Sequence, residues 1–306
     1  MKKYLFLVGN RNGQFFYNIQ NTDEVKVFSM YKEMSKAKRF LRKFFNTSVS
    51  VNKHFYEDWK NLDDEYDYVI CEDCTVDSAI IKFLRRKFSK AELIYWFRNS
   101  LGAIDYVAAK ERNLCIARNY DRVLSFDKND CEKYGFNYIE NCYSIDKTIQ
   151  NPSIDFDMIF LGTDKSRYDL LMSIIKRTEE LNWNNFIRIY SHTRKKTKYI
   201  TNSFMDYREY LEVLVRSRVV LDVVDESYQN GYSLRVFEAL FYKKKLITNH
   251  QMIKKEPFYN SNNIFIFNAN DINSLGDLDE FLDKPYKDIP QRLLQPYNFE
   301  DWIRRI

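Results

Sequence analysis

Short apolar runs alternate with longer amphipathic segments along this 306-residue chain, and this alternation restricts the fold more than any other feature. In the first half, strands are predicted at residues 4–8, 24–28, 68–71, 92–96, 122–125 and 137–139. Intervening segments such as 35–45 and 77–88 carry apolar residues at helical spacing. Strands that alternate with helices build parallel sheets covered by helices, so the sequence predicts an α/β fold.

A second series of strands and helices follows a polar, proline-containing stretch at 142–157, which is interpreted as a linker. Its strands are predicted at 157–161, 186–190, 219–223, 245–247 and 263–267, and its helices at 168–181, 206–216, 234–242 and 272–282. The chain is about twice the length of a typical domain. We therefore expect domains at 1–150 and 151–295, with a helix at 296–306 that packs back on the first.

The composition indicates an ordinary globular protein, with 45% apolar and 30% charged residues. Lysine and arginine number 48 against 43 acidic residues, a net charge of +5. This small excess favours anionic ligands such as a nucleotide diphosphate, but it does not indicate nucleic-acid binding. No apolar run is long enough to cross a membrane and no signal-peptide pattern is evident, so a cytoplasmic location is expected.

The five cysteines are odd in number and all lie in the first half of the chain, at positions 71, 74, 115, 131 and 142. This pattern is typical of reduced intracellular thiols. Cys71 and Cys74 form a C-x-x-C motif, but no second pair of ligands stands at the spacing that zinc sites use. The sequence therefore predicts no metal site.

The most informative segment is the apolar strand at 219–224, the polar loop at 225–230 and the helix that begins after Gly231. Such a junction brings backbone N–H groups and the positive end of a helix dipole to one point, which suits a phosphate. Arg235, in the first turn, adds a charge-assisted contact. Glu238 is placed to accept hydrogen bonds from ribose hydroxyls, and the alternative is a role limited to the helix end.

At these residues the sequence resembles a known family. The run from Gln229 through Gly231, Tyr232, Ser233, Arg235 and Glu238 to Leu240, followed by 244–249 and 258–264, resembles bacterial GT-B glycosyltransferases of capsule, lipopolysaccharide core and O-antigen clusters. The resemblance implies an α/β fold of two Rossmann-like domains that face each other across a cleft. It also implies sugar transfer from a nucleotide-sugar donor to a saccharide or lipid-linked acceptor in cell-surface polysaccharide synthesis.

The resemblance further implies an enzyme that needs neither metal nor cofactor, with the nucleotide sugar as substrate and contact with the inner membrane face. Retaining GT-B enzymes carry an E-x7-E motif, in which the second acid contacts the donor ribose. Glu238 matches that second acid, whereas Asn230 stands where the first is usual. Donor binding at Gly231, Tyr232, Ser233, Arg235 and Glu238 is therefore expected, and the stereochemical outcome stays open.

Further donor contacts are expected after other strands of the second domain. Gly162, Thr163, Lys165 and Arg167 follow the first of these strands, where similar enzymes hold the donor phosphates. The alternative for this loop is a solvated turn before a capped helix. In similar folds the base is held near Ser191 and Phe204, although packing in the core is an equal alternative for Phe204.

In the first domain, Asn10 and Arg11 follow the first strand, and Arg98 and Asn99 follow the fourth. These four residues are the candidates for the acceptor side. An inverting enzyme needs a carboxylate or histidine as general base toward the acceptor hydroxyl. Asp73, which follows the strand at 68–71, is the catalytic candidate, and a helix cap is its alternative.

Other functions remain open from the sequence. A sugar-nucleotide epimerase or a polyol-phosphate transferase would use a similar fold and donor site. A non-catalytic GT-B scaffold module is a third hypothesis, which Asn230 in the usual place of an acid favours. Nucleic-acid binding is the weakest, because no basic face stands out in the sequence.

Overall fold

A computed structural model describes residues 1–73, 78–104, 107–150, 153–164, 167–194, 197–227 and 229–306. The chain divides into two compact units. The first comprises Met1–Glu140 together with residues 229–231, and the second comprises Asn141–Ser227 and Tyr232–Ile306. The C-terminal segment thus groups with the second unit.

In the described part of the first unit, six parallel strands form one sheet in the order β2-β1-β3-β4-β5-β6. The strands are β1 Tyr4–Val8, β2 Val25–Ser29, β3 Tyr68–Glu72, β4 Glu92–Phe97, β5 Arg122–Ser125 and β6 Asn137–Tyr138. The helices are α1 Lys36–Phe44, α2 Val49–Asn52, α3 Ser78–Lys87, α4 Val107–Ala117 and α5 Lys128–Tyr134. β1 and β3, both apolar, lie in the middle of the sheet and are almost wholly buried.

The described part of the second unit repeats this plan with six parallel strands in the order β12-β11-β10-β7-β8-β9. They are β7 Phe156–Thr163, β8 Asn185–Tyr190, β9 Ile200–Thr201, β10 Ser217–Asp222, β11 Lys245–Thr248 and β12 Ile264–Ile266. The helices are α6 Tyr168–Glu180, α7 Tyr207–Val215, α8 Leu234–Phe241, α9 Leu278–Asp283, α10 Gln291–Leu294 and α11 Phe299–Ile303. The α/β class predicted from the alternating pattern is confirmed.

Each sheet has one topological switch point, where the chain order reverses. In the first unit it lies between β1 and β3, which pair from Tyr4 with Tyr68 to Leu7 with Cys71. In the second it lies between β7 and β10. Parallel sheets bind ligands at the carboxyl ends of the strands that flank such a point. The loops after these four strands are therefore where a site is expected.

Two predicted helices differ from the structure. The helix predicted at 272–282 is interrupted, because Gly276 adopts a positive φ of 49° and Asp277 caps a new helix at α9. The helix predicted at 35–45 forms as α1, but its apolar residues are exposed and Arg42 is its buried residue. No helix in the described ranges is long and apolar enough to cross a membrane.

Candidate functional site

Two arginines converge on Gly162 at the switch point of the second unit. A Cβ built on Gly162 would lie 3.2 Å from Arg235 Nη1 and 3.3 Å from Arg167 Nη2. Both guanidinium groups also lie over the buried Phe160 ring, at 5.4 Å for Arg235 and 5.6 Å for Arg167. The absence of a side chain at Gly162 therefore lets both guanidinium groups lie close to the backbone at this strand end.

Asp222 holds Arg235 from the end of β10. Its fully buried carboxylate accepts a hydrogen bond from Arg235 Nε at 3.0 Å and forms an ion pair with Nη2 at 3.0 Å. The Ser233 hydroxyl donates to the same oxygen at 2.7 Å. The Arg235 side chain is 16% exposed. The buried Asp222 carboxylate thus holds the Arg235 guanidinium in place, and a fixed guanidinium group suits an anionic ligand.

Arg167, just before α6, is fixed by backbone carbonyls. Its Nη1 donates to the carbonyl of Val223 and its Nη2 donates to that of Thr163 at 3.1 Å. The guanidinium thereby connects the loops that follow β7 and β10. The structure thus brings together the predicted residues Gly162, Thr163, Arg167 and Arg235, whereas Lys165 lies outside the described residues.

Ser233 and Gly231, at the start of α8, have contacts that the loop pattern does not indicate, and their predicted role in donor binding stays a prediction. Ser233 is the N-cap residue, but its hydroxyl bonds Asp222 and makes no cap to the helix amides. Gly231 packs against Phe126, and a Cβ there would lie 2.2 Å from the Phe126 ring. The amide of Asn230 donates to Asp127 at 2.7 Å. Close packing in the first unit therefore explains the glycine at 231.

Glu238 is enclosed by tyrosines of α7. Its two carboxylate oxygens accept hydrogen bonds from Tyr207 at 2.8 Å and Tyr210 at 2.7 Å. The residue is 2% exposed, and burial raises its carboxyl pKa above the usual value. A ribose hydroxyl would have to share this carboxylate with the two phenols. The predicted ribose contact stays a prediction.

The residues expected near a base lie at the ends of β8 and β9. Phe204 is 73% exposed, and its ring stacks on Tyr190 with 3.7 Å between centroids. Ser191 is buried and accepts a hydrogen bond from the Arg194 amide. The Tyr232 hydroxyl donates to Glu256 at 2.5 Å, and its predicted donor contact stays a prediction. An exposed aromatic face at Phe204 is thus present at the carboxyl edge of this sheet.

A second polar group spans the switch point of the first unit. The amide of Gly9, after β1, donates to Glu72 Oε2 at 2.6 Å. Arg98, after β4, bonds the other Glu72 oxygen and also donates to Gln14. Glu72 and Arg98 are both mostly buried, with 11% of each side chain exposed. This ion pair fixes three loops at one edge of the sheet.

Asp73 lies beside that ion pair at the end of β3. Its Oδ2 accepts a hydrogen bond from the Asn99 amide at 3.2 Å. Burial, and then the neighbouring Glu72 charge, raise the Asp73 pKa to about 7 against the opposing effect of Arg98. A carboxyl group with that pKa is suited to exchange protons near neutral pH.

The remaining candidates on this side have structural contacts. Arg11 donates through Nη2 to the carbonyl of Ile19 at 2.5 Å, and its amide donates to Ser29. Burial lowers the Arg11 pKa. Asn10 caps the following turn by accepting from the Asn12 amide. Arg11 and Asn10 thus hold the loop in place, and the side chains of Asn10 and Asn99 are exposed.

The sequence did not predict that Asp222 and Gln14 hold arginines in place, or that Glu72 pairs with Arg98. Asp222 ends β10 directly after the apolar residues 219–221, and a charged residue at such an end was the available signal. Gln14 lies in a loop without a pattern. Among the described residues, no group of three or more His, Cys, Asp or Glu side chains could hold a metal ion. Cys71 is buried, and Cys74 lies outside the described residues.

Comparisons with known proteins show the fold. No family model matches the sequence, and no curated protein matches it significantly. Sucrose-phosphate synthase from Thermosynechococcus elongatus is 11% identical with a TM-score of 0.54, covering 99% of this chain and 97% of that one. An alpha-glucosyltransferase, solved with UDP and a 13-mer DNA, is 12% identical with a TM-score of 0.54. The similarity covers 100% of this chain and 98% of that one.

A third similar structure is the UDP-GlcNAc 2-epimerase of Methanocaldococcus jannaschii in complex with UDP-GlcNAc and UDP. It is 13% identical with a TM-score of 0.50, covering 100% of this chain and 99% of that one. At these identities the likeness concerns the fold. The two sheets match the pair of Rossmann-like units in GT-B proteins, so the GT-B fold class predicted from the sequence is confirmed.

Proposed function

We propose that this protein is a glycosyltransferase that moves a sugar from a nucleotide-sugar donor to a saccharide or lipid-linked acceptor. The observation that carries this proposal is the pair Arg167 and Arg235 around Gly162 at the switch point of the second unit. Two fixed guanidinium groups are the donors that a diphosphate requires. The GT-B fold supports the proposal, because the fold provides such an edge in each unit.

In this proposal the diphosphate of the donor lies against Arg167, Arg235 and the start of α8. Phe204 offers its exposed ring to the base. Negative charge accumulates on the diphosphate as it leaves, and the two guanidinium groups would neutralise it, so we infer a reaction that is independent of metal ions. Activity that is unchanged by a chelator supports this inference, and activity that requires an added divalent cation contradicts it.

Asp73 is proposed as the general base in the first unit. It would take the proton of the acceptor hydroxyl as that oxygen attacks the sugar carbon and the nucleotide diphosphate departs. Glu72 and Arg98 hold the loop that carries it. Asn10 and Asn99, with exposed side chains at the same edge, are proposed acceptor contacts.

The resemblance to capsule, lipopolysaccharide core and O-antigen enzymes supports a role in cell-surface polysaccharide synthesis on the cytoplasmic side of the membrane. The acceptor would then be a growing saccharide, carried on a lipid for part of the pathway. This finer assignment rests on the segment from Gln229 to Leu240.

A thermal-shift screen with UDP-, GDP-, dTDP- and CMP-sugars tests donor binding, because a bound ligand raises the melting temperature by mass action. Product analysis with a labelled donor then separates transfer from epimerisation, which the similarity to the 2-epimerase structure makes the second candidate. An epimerase converts the donor with no acceptor present, whereas a transferase needs one. No shift with any of the donors contradicts the proposal.

A further inference from the structure

The helix α1, Lys36–Phe44, carries an apolar arc that faces away from the core. Ala37, Phe40, Leu41 and Phe44 follow the i, i+3, i+4, i+7 spacing of one helix face. Phe40 is 72% exposed, Phe44 is 70% exposed and Leu41 is 45% exposed. Phe45, just after the helix, extends the same arc and contacts the Phe44 ring edge-on at 5.0 Å. Four large apolar side chains thus form one exposed patch.

The burial of this helix is the reverse of that in an ordinary surface helix. Arg42 is its buried residue, 5% exposed, and its guanidinium lies 3.9 Å from the centre of the Tyr31 ring. A surface helix normally buries its apolar stripe and exposes its charges. Because α1 packs through an arginine, its orientation in the fold leaves the apolar arc available to an external partner.

The basic charge of α1 indicates an anionic partner. Five of the nine residues of α1 are basic and none is acidic, and Lys36, Lys38, Arg39 and Lys43 are exposed. Lys36 and Lys43 lie on one side of the arc and Lys38 on the other, where long side chains reach the polar layer while the rings insert. A basic amphipathic helix of this kind suits an anionic lipid surface. A second copy would present the same positive charge and be repelled.

We propose that α1 docks the first unit onto an anionic lipid bilayer through Phe40, Leu41, Phe44 and Phe45. Docking needs no donor and no catalysis, so it is independent of the transferase activity. Docking would also account for the exposure of Phe40 and Phe44 on the solvent side of α1. The rings would enter the boundary between headgroups and acyl chains, while the lysines contact lipid phosphates.

The same helix lines a cavity of about 1100 Å³ in the first unit. Arg39, Arg42 and Lys43 contribute to one wall, and Gly9 and Asn10 at the end of β1 contribute to another. Arg42 is the buried residue of α1, so this cavity lies on the side of the helix away from the apolar arc, and docking through the arc leaves the cavity uncovered.

Vesicle flotation tests the docking directly. The full chain is mixed with vesicles of phosphatidylglycerol and phosphatidylcholine, or of phosphatidylcholine alone. We expect binding to the anionic vesicles and a decrease on the order of tenfold or more in affinity for the double variant Phe40→Ser with Phe44→Ser. Lys36→Gln with Lys38→Gln should weaken binding and reduce its dependence on salt. Circular dichroism verifies that each variant is folded.

A matched control changes two exposed apolar residues elsewhere, Val107→Ser and Ile272→Ser, which are 71% and 39% exposed. This control should bind as the unmodified protein does. Absence of binding to anionic vesicles, or equal binding of both serine double variants, overturns the proposal. So does a dimer that the Phe40 and Phe44 changes dissociate, since a second copy would then cover α1. Donor calorimetry on the same variants reports separately on the proposed function.

Discussion

Arg235 and Asp222 form an ion pair in which the carboxylate is fully buried, while 16% of the arginine side chain is exposed. The strand β10 ends at Asp222, and α8 begins one residue before Arg235. The carboxylate thus holds the Arg235 guanidinium beside Gly162, where the Arg167 guanidinium also lies. This arrangement places two guanidinium groups where the donor diphosphate is proposed to bind.

Replacing Arg235 should weaken donor binding and also destabilise the fold. Arg235→Ala leaves the Asp222 carboxylate buried without its cation, which costs about 3–5 kcal/mol. The double variant Arg235→Ala with Asp222→Asn removes that charge and should recover much of the melting temperature. Donor affinity should stay at least tenfold reduced in both variants. Recovery of affinity together with stability would show that Arg235 acts only in folding.

A methyl group at Gly162 should obstruct the same site. In Gly162→Ala the new Cβ would meet Phe160 at 3.1 Å and the two guanidinium groups at 3.2 and 3.3 Å. We expect the arginines to shift and donor affinity to fall several-fold, as measured by calorimetry. Gly13→Ala, whose nearest contact is the Asn10 side chain at 3.1 Å, is a control in the first unit and should keep its donor affinity.

Asp73→Asn should lower kcat by about 10²–10⁴ and leave donor affinity unchanged, since a general base contributes about that much. The base acts when deprotonated, so kcat should rise with pH through a pKa of about 7 and then level off. The Arg98 charge lowers the Asp73 pKa, so Arg98→Met should move this rise to higher pH. A flat pH profile from 5 to 9, or full activity of Asp73→Asn, contradicts the assignment.

Glu238 should make stability depend on pH. Its folded-state pKa is raised by burial, so the folded state holds the proton more tightly than the unfolded state does. The Glu238 carboxyl therefore stabilises the folded state fully at a pH below its pKa in the unfolded chain. This stabilisation is lost as the pH rises from that value through the higher pKa of Glu238 in the folded state. Glu238→Gln removes this dependence and keeps an acceptor for one tyrosine. Melting temperatures measured across pH should show this loss of stability in the unmodified protein, and Glu238→Gln should not show it.

Donor titration of Glu238→Gln also tests its ribose contact. A neutral amide still accepts one hydrogen bond, whereas Glu238→Ala leaves the Tyr207 and Tyr210 hydroxyls without their partner. If Glu238 contacts ribose, both variants should lose donor affinity while Glu238→Gln remains folded. If Glu238 serves only the tyrosines, the glutamine variant should bind donor normally.

The alternation of strands and helices was sufficient to predict the α/β class, because parallel strands and their helices leave a local pattern in the sequence, whereas the GT-B architecture was implied by the resemblance of the segment from Gln229 to Leu240. The alternation was also sufficient to place Gly162, Arg167, Asp73 and Arg98 at strand ends. The pairing of Arg235 with Asp222 and of Glu238 with α7 was not predictable, since both depend on contacts between segments distant in sequence. Likewise, periodicity identified the apolar arc of α1 but not the side on which the core lies.

Calorimetric titration of nucleotide sugars into the protein and into the Arg167→Ala variant tests the proposed donor site. Arg167 donates to the backbone carbonyls of Val223 and Thr163, whereas loss of Arg235 leaves the buried Asp222 carboxylate without its cation, so we expect Arg167→Ala to perturb the fold less. We predict saturable binding of one nucleotide sugar by the unmodified protein and at least a tenfold lower affinity in the variant. Binding of none of the UDP-, GDP-, dTDP- and CMP-sugars, or equal affinity in the variant, would contradict the account.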